Sequence, residues 1–144
     1  MKEIFINKLH QYISENNPDI LLPLEEKSAV TEYLTNKVIT ADALLKQLEG
    51  QPEYITEESC MDALTKDLRP SKFNYIKSVL EYEFENSYKE FVESGTLRFE
   101  AINLVNHCQP VFDDLHFNEE NEGNRFLKYA IIGSINEYLN NKRA

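Results

Sequence analysis

Glycine is scarce in this chain, with four in 144 residues. That leaves little material for phosphate-cradling loops or for the tight turns of a β fold. Cysteine is scarcer. Two thiols, Cys60 and Cys108, in no paired C-x-x-C spacing, are expected to be reduced core residues rather than a disulfide framework or a metal set. The N-terminal run Met1-Lys2-Glu3-Ile4-Phe5-Ile6-Asn7-Lys8 lacks the apolar stretch of a secretory leader. No apolar run reaches the roughly 20 residues that a membrane helix needs, so the expected address is the cytoplasm. Basic residues are also in the minority, 15 Lys and Arg against 25 Asp and Glu, for a net charge of −10. That balance favours solubility and disfavours general binding to phosphate backbones. The acidity belongs to no tail, since residues 1–70 carry 7 basic and 13 acidic side chains and residues 71–144 carry 8 and 12.

Helical periodicity is what the chain has in quantity. In the stretch from Pro70 to Gly95, Phe73, Ile76, Leu80, Phe84, Tyr88 and Phe91 are spaced by 3, 4, 4, 4 and 3 residues, one face of a helix. Pro70 and Ser71 are start signals and Gly95 is a stop, which predicts one long helix over about 71–94. Before it, a first helix is expected over residues 3–16, closed by Asn16-Asn17-Pro18, with Phe5, Leu9, Tyr12 and Ile13 inward. Asp19 to Pro23 reads as an apolar connector. A second helix is expected from Leu24 to Val38. A third, capped by Thr40, runs to Glu49 and stops at Gly50. A fourth opens at Thr56 with Cys60, Met61, Leu64 and Leu68 as its stripe. After Gly95, helices are expected over 97–108, from Pro110 to about Leu115, and from Arg125 to Asn140. The last buries Leu127, Ile131, Ile135, Tyr138 and Leu139. Residues 118–124 are polar and read as a mobile loop. The expected fold is all-α: a compact bundle of six to seven helices around the long one, with residues 1–144 as a single helical domain.

Candidate sites are few. Lys66, Arg69, Lys72 and Lys77 are the one basic cluster, at the entrance of the long helix. With Ser71, Asn74 and Tyr75 they make a candidate binding site for a phosphate or nucleic acid. The alternative is ordinary packing at a helix junction, and the acidic total favours that alternative. His107, Asp113 and His116 are weak metal candidates, since His107 merely adjoins an apolar Cys108 and no ligand-pair spacing appears. Asn118, Glu120, Glu122 and Gly123 fall at positions 1, 3, 5 and 6 of a calcium loop. The twelfth position, which needs a bidentate Glu, is Tyr129, so the motif is rejected. Glu81 and Glu85 share an outer face and read as solvated. No nucleophile-elbow context surrounds any serine.

Three runs in a fixed order carry a resemblance. They are Tyr12-Ile13-Ser14-Glu15-Asn16-Asn17-Pro18, then Leu68-Arg69-Pro70-Ser71-Lys72-Phe73-Asn74, then Leu80-Glu81-Tyr82-Glu83-Phe84. Together they resemble a small family of uncharacterised Bacteroidetes proteins known as a domain of unknown function. In that family a His-Pro step ends the first helix, and an aromatic-Ser-Lys-Tyr run opens a long helix ending in Glu-Phe. Here Asn17 stands for the His and Pro70 for the aromatic. The resemblance covers about the first 90 residues. It implies an all-helical cytoplasmic bacterial protein, with mobile-element gene neighbourhoods, and no known activity.

The functional expectation is a non-enzymatic helical interaction protein without a cofactor, taking a protein partner or a second copy of itself. The surplus of Tyr and Phe, eight of each, supports this, with Tyr75 and Tyr82 off the main stripe as candidate contact residues. Contact with nucleic acid through the basic cluster, or imitation of DNA by the acidic surface, is the alternative. An enzyme with a site near His107–His116 is the least favoured.

Overall fold

A computed structural model describes residues 2–143, and of Arg143 the backbone only. Its described residues form ten α-helices and one 3-10 turn, with no strand, so the fold is all-α. The chain divides into two compact units, Met1–Arg69 and Pro70–Ala144, and each has its own core.

In the first unit the helices are α1 (Lys2–Asn16), α2 (Pro18–Glu26), α3 (Val30–Ile39), α4 (Asp42–Gln47) and α5 (Glu53–Thr65), followed by a 3-10 turn at Lys66–Leu68. α1 packs on α2, α3 and α5. Its Phe5, Leu9 and Ile13 meet Leu21, Leu34, Val38, Cys60 and Leu64 in the core. Pro18 does end α1, but it also occupies the first position of α2. Proline suits that position because a helix's first N–H groups have no carbonyl to bond. The expected connector from Asp19 to Pro23 is therefore helical.

The helix expected over 24–38 is interrupted at Ser28, whose φ is +55°. The Ala29 N–H bonds the Leu24 carbonyl at 2.8 Å, and the Ser28 N–H bonds that of Glu25 at 3.1 Å. This is the left-handed closure that usually takes glycine. Serine gives no such signal in sequence, which is why the break is not legible there. Thr40 is not a cap. Its hydroxyl donates back to the Lys37 carbonyl at 2.5 Å, closing α3. Thr56 lies inside α5, which starts directly after Pro52.

The second unit comprises α6 (Lys72–Glu83), α7 (Glu85–Ser94), α8 (Leu97–His107), α9 (Gln109–Asp114) and α10 (Arg125–Arg143). Ser71 caps α6 as expected, its hydroxyl oxygen accepting the Asn74 N–H at 2.9 Å. Gly95 closes α7 at φ +74°, with the Thr96 N–H reaching the Phe91 carbonyl at 2.9 Å. The single helix expected over 71–94 is two helices, because Phe84 leaves helical geometry at φ −135°, ψ 54°. Neither proline nor glycine marks the break. The stripe keeps its purpose across it: Phe73, Ile76, Leu80 and Phe91 are buried, and Phe84 and Tyr88 pack against the same core. α6 meets α7, α8 and α10, and α8 meets α9 and α10. Leu127, Ile131, Ile135 and Leu139 complete the core from α10. Among the described residues no helix is long and apolar enough to cross a membrane.

Candidate functional site

The basic cluster divides at the boundary between the units, with Lys66 and Arg69 in the first and Ser71, Lys72, Asn74, Tyr75 and Lys77 in the second. Most of its cations are engaged locally. The Arg69 guanidinium donates to the Asp62 carboxylate at 3.0 Å and to the Asp62 carbonyl at 3.1 Å. The Lys72 ammonium lies 5.6 Å from the Phe112 ring centroid and 3.4 Å from the Gln109 side-chain oxygen. The Lys77 ammonium lies 5.0 Å from the centroid of the Phe73 ring. A cation over an aromatic face is partly satisfied there. Lys66 is exposed and Asn74 is exposed.

The metal candidates also have local partners. The His107 ring packs on Tyr138 with centroids 5.4 Å apart. The Asp113 carboxylate accepts from Gln109 at 2.8 Å. His116 has φ +51° and sits past the end of α9, where the Phe117 N–H reaches the Phe112 carbonyl at 3.0 Å. It thus fills the left-handed helix-closing position, a backbone task. Among the described residues no three His, Cys, Asp or Glu side chains are grouped to hold a metal ion. Burial raises the pKa of both the Cys60 and Cys108 thiols, with a Ser134 hydrogen bond partly offsetting the rise at Cys108. Both are free and buried, and a raised pKa keeps them protonated and unreactive.

The segment expected to be a loose loop is knitted by asparagines. The Asn118 side-chain oxygen accepts the N–H groups of Glu120 and Asn121 at 2.8 and 3.0 Å. Asn121 accepts the Asn118 N–H at 2.8 Å and donates to the Leu115 and His116 carbonyls at 2.9 and 3.1 Å. Asn124 then caps α10, accepting from the Phe126 and Leu127 N–H groups at 2.8 and 3.1 Å. The Asn118 oxygen, first in the calcium reading, is already bonded to two backbone N–H groups.

This loop, α6 and the start of α10 enclose a surface cleft of about 390 Å³, lined by Tyr75, Ser78, Val79, Tyr82, Glu122, Gly123, Asn124 and Lys128. The Tyr75 ring anchors the inner wall, edge-on to Phe117 at 5.1 Å and to Phe112 at 6.0 Å. Its hydroxyl is covered and has no hydrogen-bond partner, a condition that costs on the order of 1–3 kcal/mol. Burial, and then the Glu122 carboxylate, raise its pKa. Tyr82, on the outer wall, is 70% exposed. The Lys128 ammonium pairs with Glu83 at 2.9 Å. Of the two tyrosines expected at a contact surface, Tyr82 is available and Tyr75 belongs mainly to the core's edge.

Two further aromatic residues were not legible as contact candidates. Phe126 and Tyr129 are 77% and 59% exposed, one turn apart on α10. The phase that turns Leu127, Ile131 and Ile135 inward turns these two outward, and that phase was the available signal.

A separate buried group holds the C-terminal helix. Glu100 is 4% exposed; it accepts from the Tyr138 hydroxyl at 3.1 Å and pairs with Lys142. Lys142→Met is expected to destabilise the protein by about 1–3 kcal/mol, because it removes a buried carboxylate's cation. Lys142 is itself half exposed, and that solvation keeps the figure below the fully buried case. Urea denaturation of this variant beside Glu100→Gln checks it, with Glu100→Gln the milder change because the charge it leaves unpaired, the Lys142 ammonium, is half exposed rather than buried.

An all-helical chain with a tyrosine-walled cleft and an exposed aromatic helix face fits a class of small helical proteins rather than one chemistry. The chain belongs to the family described as a domain of unknown function, DUF1896, whose model matches residues 3–141. No curated protein and no solved structure matches it.

Proposed function

We propose that this chain is a non-enzymatic helical interaction protein that docks a protein partner or a second copy of itself through the Pro70–Ala144 unit. The exposure of Phe126 and Tyr129 on the outer face of α10 carries this reading. Each ring leaves a large apolar area in water, and neighbouring exposed aromatics are what interface centres are made of. Tyr82 and Phe99, 70% and 60% exposed, add apolar surface to the same unit. The alternative, nucleic-acid contact through Lys66, Arg69, Lys72 and Lys77, has less support, because most of these cations already have partners within the chain. The two protonated, buried thiols agree with a cytoplasmic address.

The test is light scattering together with affinity capture from the native host. We expect a dimer or a reproducible partner, lost in the double variant Phe126→Glu, Tyr129→Glu while thermal unfolding is unchanged. A monomer that captures the same proteins with and without the double change overturns the reading.

A further inference from the structure

The cleft beside Tyr82 differs in chemistry from the outer face of α10, and its electrostatics select a ligand. Glu81, Glu83 and Glu85 are exposed at the C-terminal end of α6 and just beyond it. A helix C-terminus is the negative end of the dipole, where anions are least favoured. No basic residue lies in the last turn of α6. Glu122 faces the cleft from the loop, and the one cation lining it, Lys128, is paired with Glu83 at 2.9 Å. The start of α10 also borders the cleft, but the Asn124 side-chain oxygen already accepts from its Phe126 and Leu127 N–H groups. An incoming anion therefore meets Glu122 and the negative end of α6. An incoming cation meets two phenol rings and the Glu122 carboxylate.

We infer that this cleft receives the guanidinium of an arginine carried by a basic segment of a partner protein. Guanidinium is planar, stacks on an aromatic face and presents five donors in a fixed fork. Tyr82 supplies an exposed ring face, and Glu122 supplies a carboxylate at the cleft wall. Lysine offers a compact, strongly hydrated charge that uses fewer of these groups. The inference rests on the interaction reading above and names the partner's chemistry at a cleft beyond the Phe126–Tyr129 face.

The experiment titrates the isotopically labelled full chain with acetylated Gly-Arg-Gly-Arg-Gly-Arg-Gly in about 0.15 M salt, where non-specific surface attraction is screened. The lysine and glutamate counterparts are run in parallel. The expected result is saturable binding of the arginine peptide, with shifts at Tyr75, Tyr82, Glu122 and Lys128, and about fivefold weaker binding of the lysine peptide. Tyr82→Ala and Glu122→Gln, both at exposed positions, are each expected to weaken binding about three- to tenfold. The inference is overturned by no saturable binding, by equal affinity for arginine and lysine, by preference for glutamate, or by indifference to both variants. If the peptide fails while capture dependent on Phe126 and Tyr129 persists, the arginine site falls alone. If capture fails while the peptide still binds the cleft, the α10 docking face falls alone.

Discussion

Asn17→Asp is expected to lower stability by about 3–5 kcal/mol at neutral pH, and by much less near pH 4. Asn17 is 4% exposed. Its amide nitrogen donates to the Leu68 carbonyl at 3.1 Å, tying the start of α2 to the end of the first unit. Its side-chain oxygen is buried without a partner. Aspartate replaces the donor with an acceptor, sets it against an acceptor carbonyl and buries a charge. Burial penalises the ionised form, so the folded carboxyl's pKa rises above the unfolded value of about 3.9. A group with a raised folded pKa contributes its stability below the unfolded pKa and loses it as pH rises through the folded one. The protonated acid can also donate to Leu68 as the amide does. Urea denaturation of variant and parent at both pH values measures the gap, and a gap that does not widen from acid to neutral pH sinks the argument.

Asn17 also shows what a sequence displays and what it conceals. The Asn-Pro step is visible as a helix boundary, because proline's missing N–H and its effect on the preceding residue act locally. The hydrogen bond to Leu68, which makes that asparagine expensive to change, spans 51 positions and leaves no local trace. The same division holds along the chain. Ser71 and Gly95 announced their helix ends because a hydroxyl cap and a left-handed glycine are residue-specific devices. Ser28 and His116 perform the glycine's task without being glycine, and Phe84 breaks a helix whose hydrophobic period runs on uninterrupted. None of these breaks is marked by a residue type that signals it, and hydrophobic periodicity does not encode them.

For the candidate sites, residue type was legible and engagement was not. Lys72 and Lys77 read as free cations until the rings of Phe112 and Phe73 are placed beneath them. His116 read as a ligand type until its backbone angle was known. Tyr82 was legible because it lies off the buried stripe of its helix. The cleft it lines needs the loop and α10 brought beside α6, an arrangement that no spacing in the chain specifies.

Phe112→Ala is expected to cost about 3–5 kcal/mol, the range for deleting a fully buried aromatic side chain. Phe112 is 1% exposed, and it is the buried residue of α9. A helix of six residues cannot hold itself together in water, so α9 depends on this ring for its place. The ring also packs at 4.8 Å from Phe117 and 6.0 Å from Tyr75. Its loss should release the turn at His116 and expose the inner wall of the cleft. The expected readings are a lower urea midpoint and early amide exchange over Val111–Phe117. Phe126→Ala, at a ring 77% exposed, should change stability by less than about 0.5 kcal/mol. If the two variants prove equally destabilising, Phe126 is part of the fold and the α10 face loses its claim as a docking surface. If only Phe112→Ala unfolds the chain, the exposed ring contributes little to folding and stays available to the docking face proposed for α10.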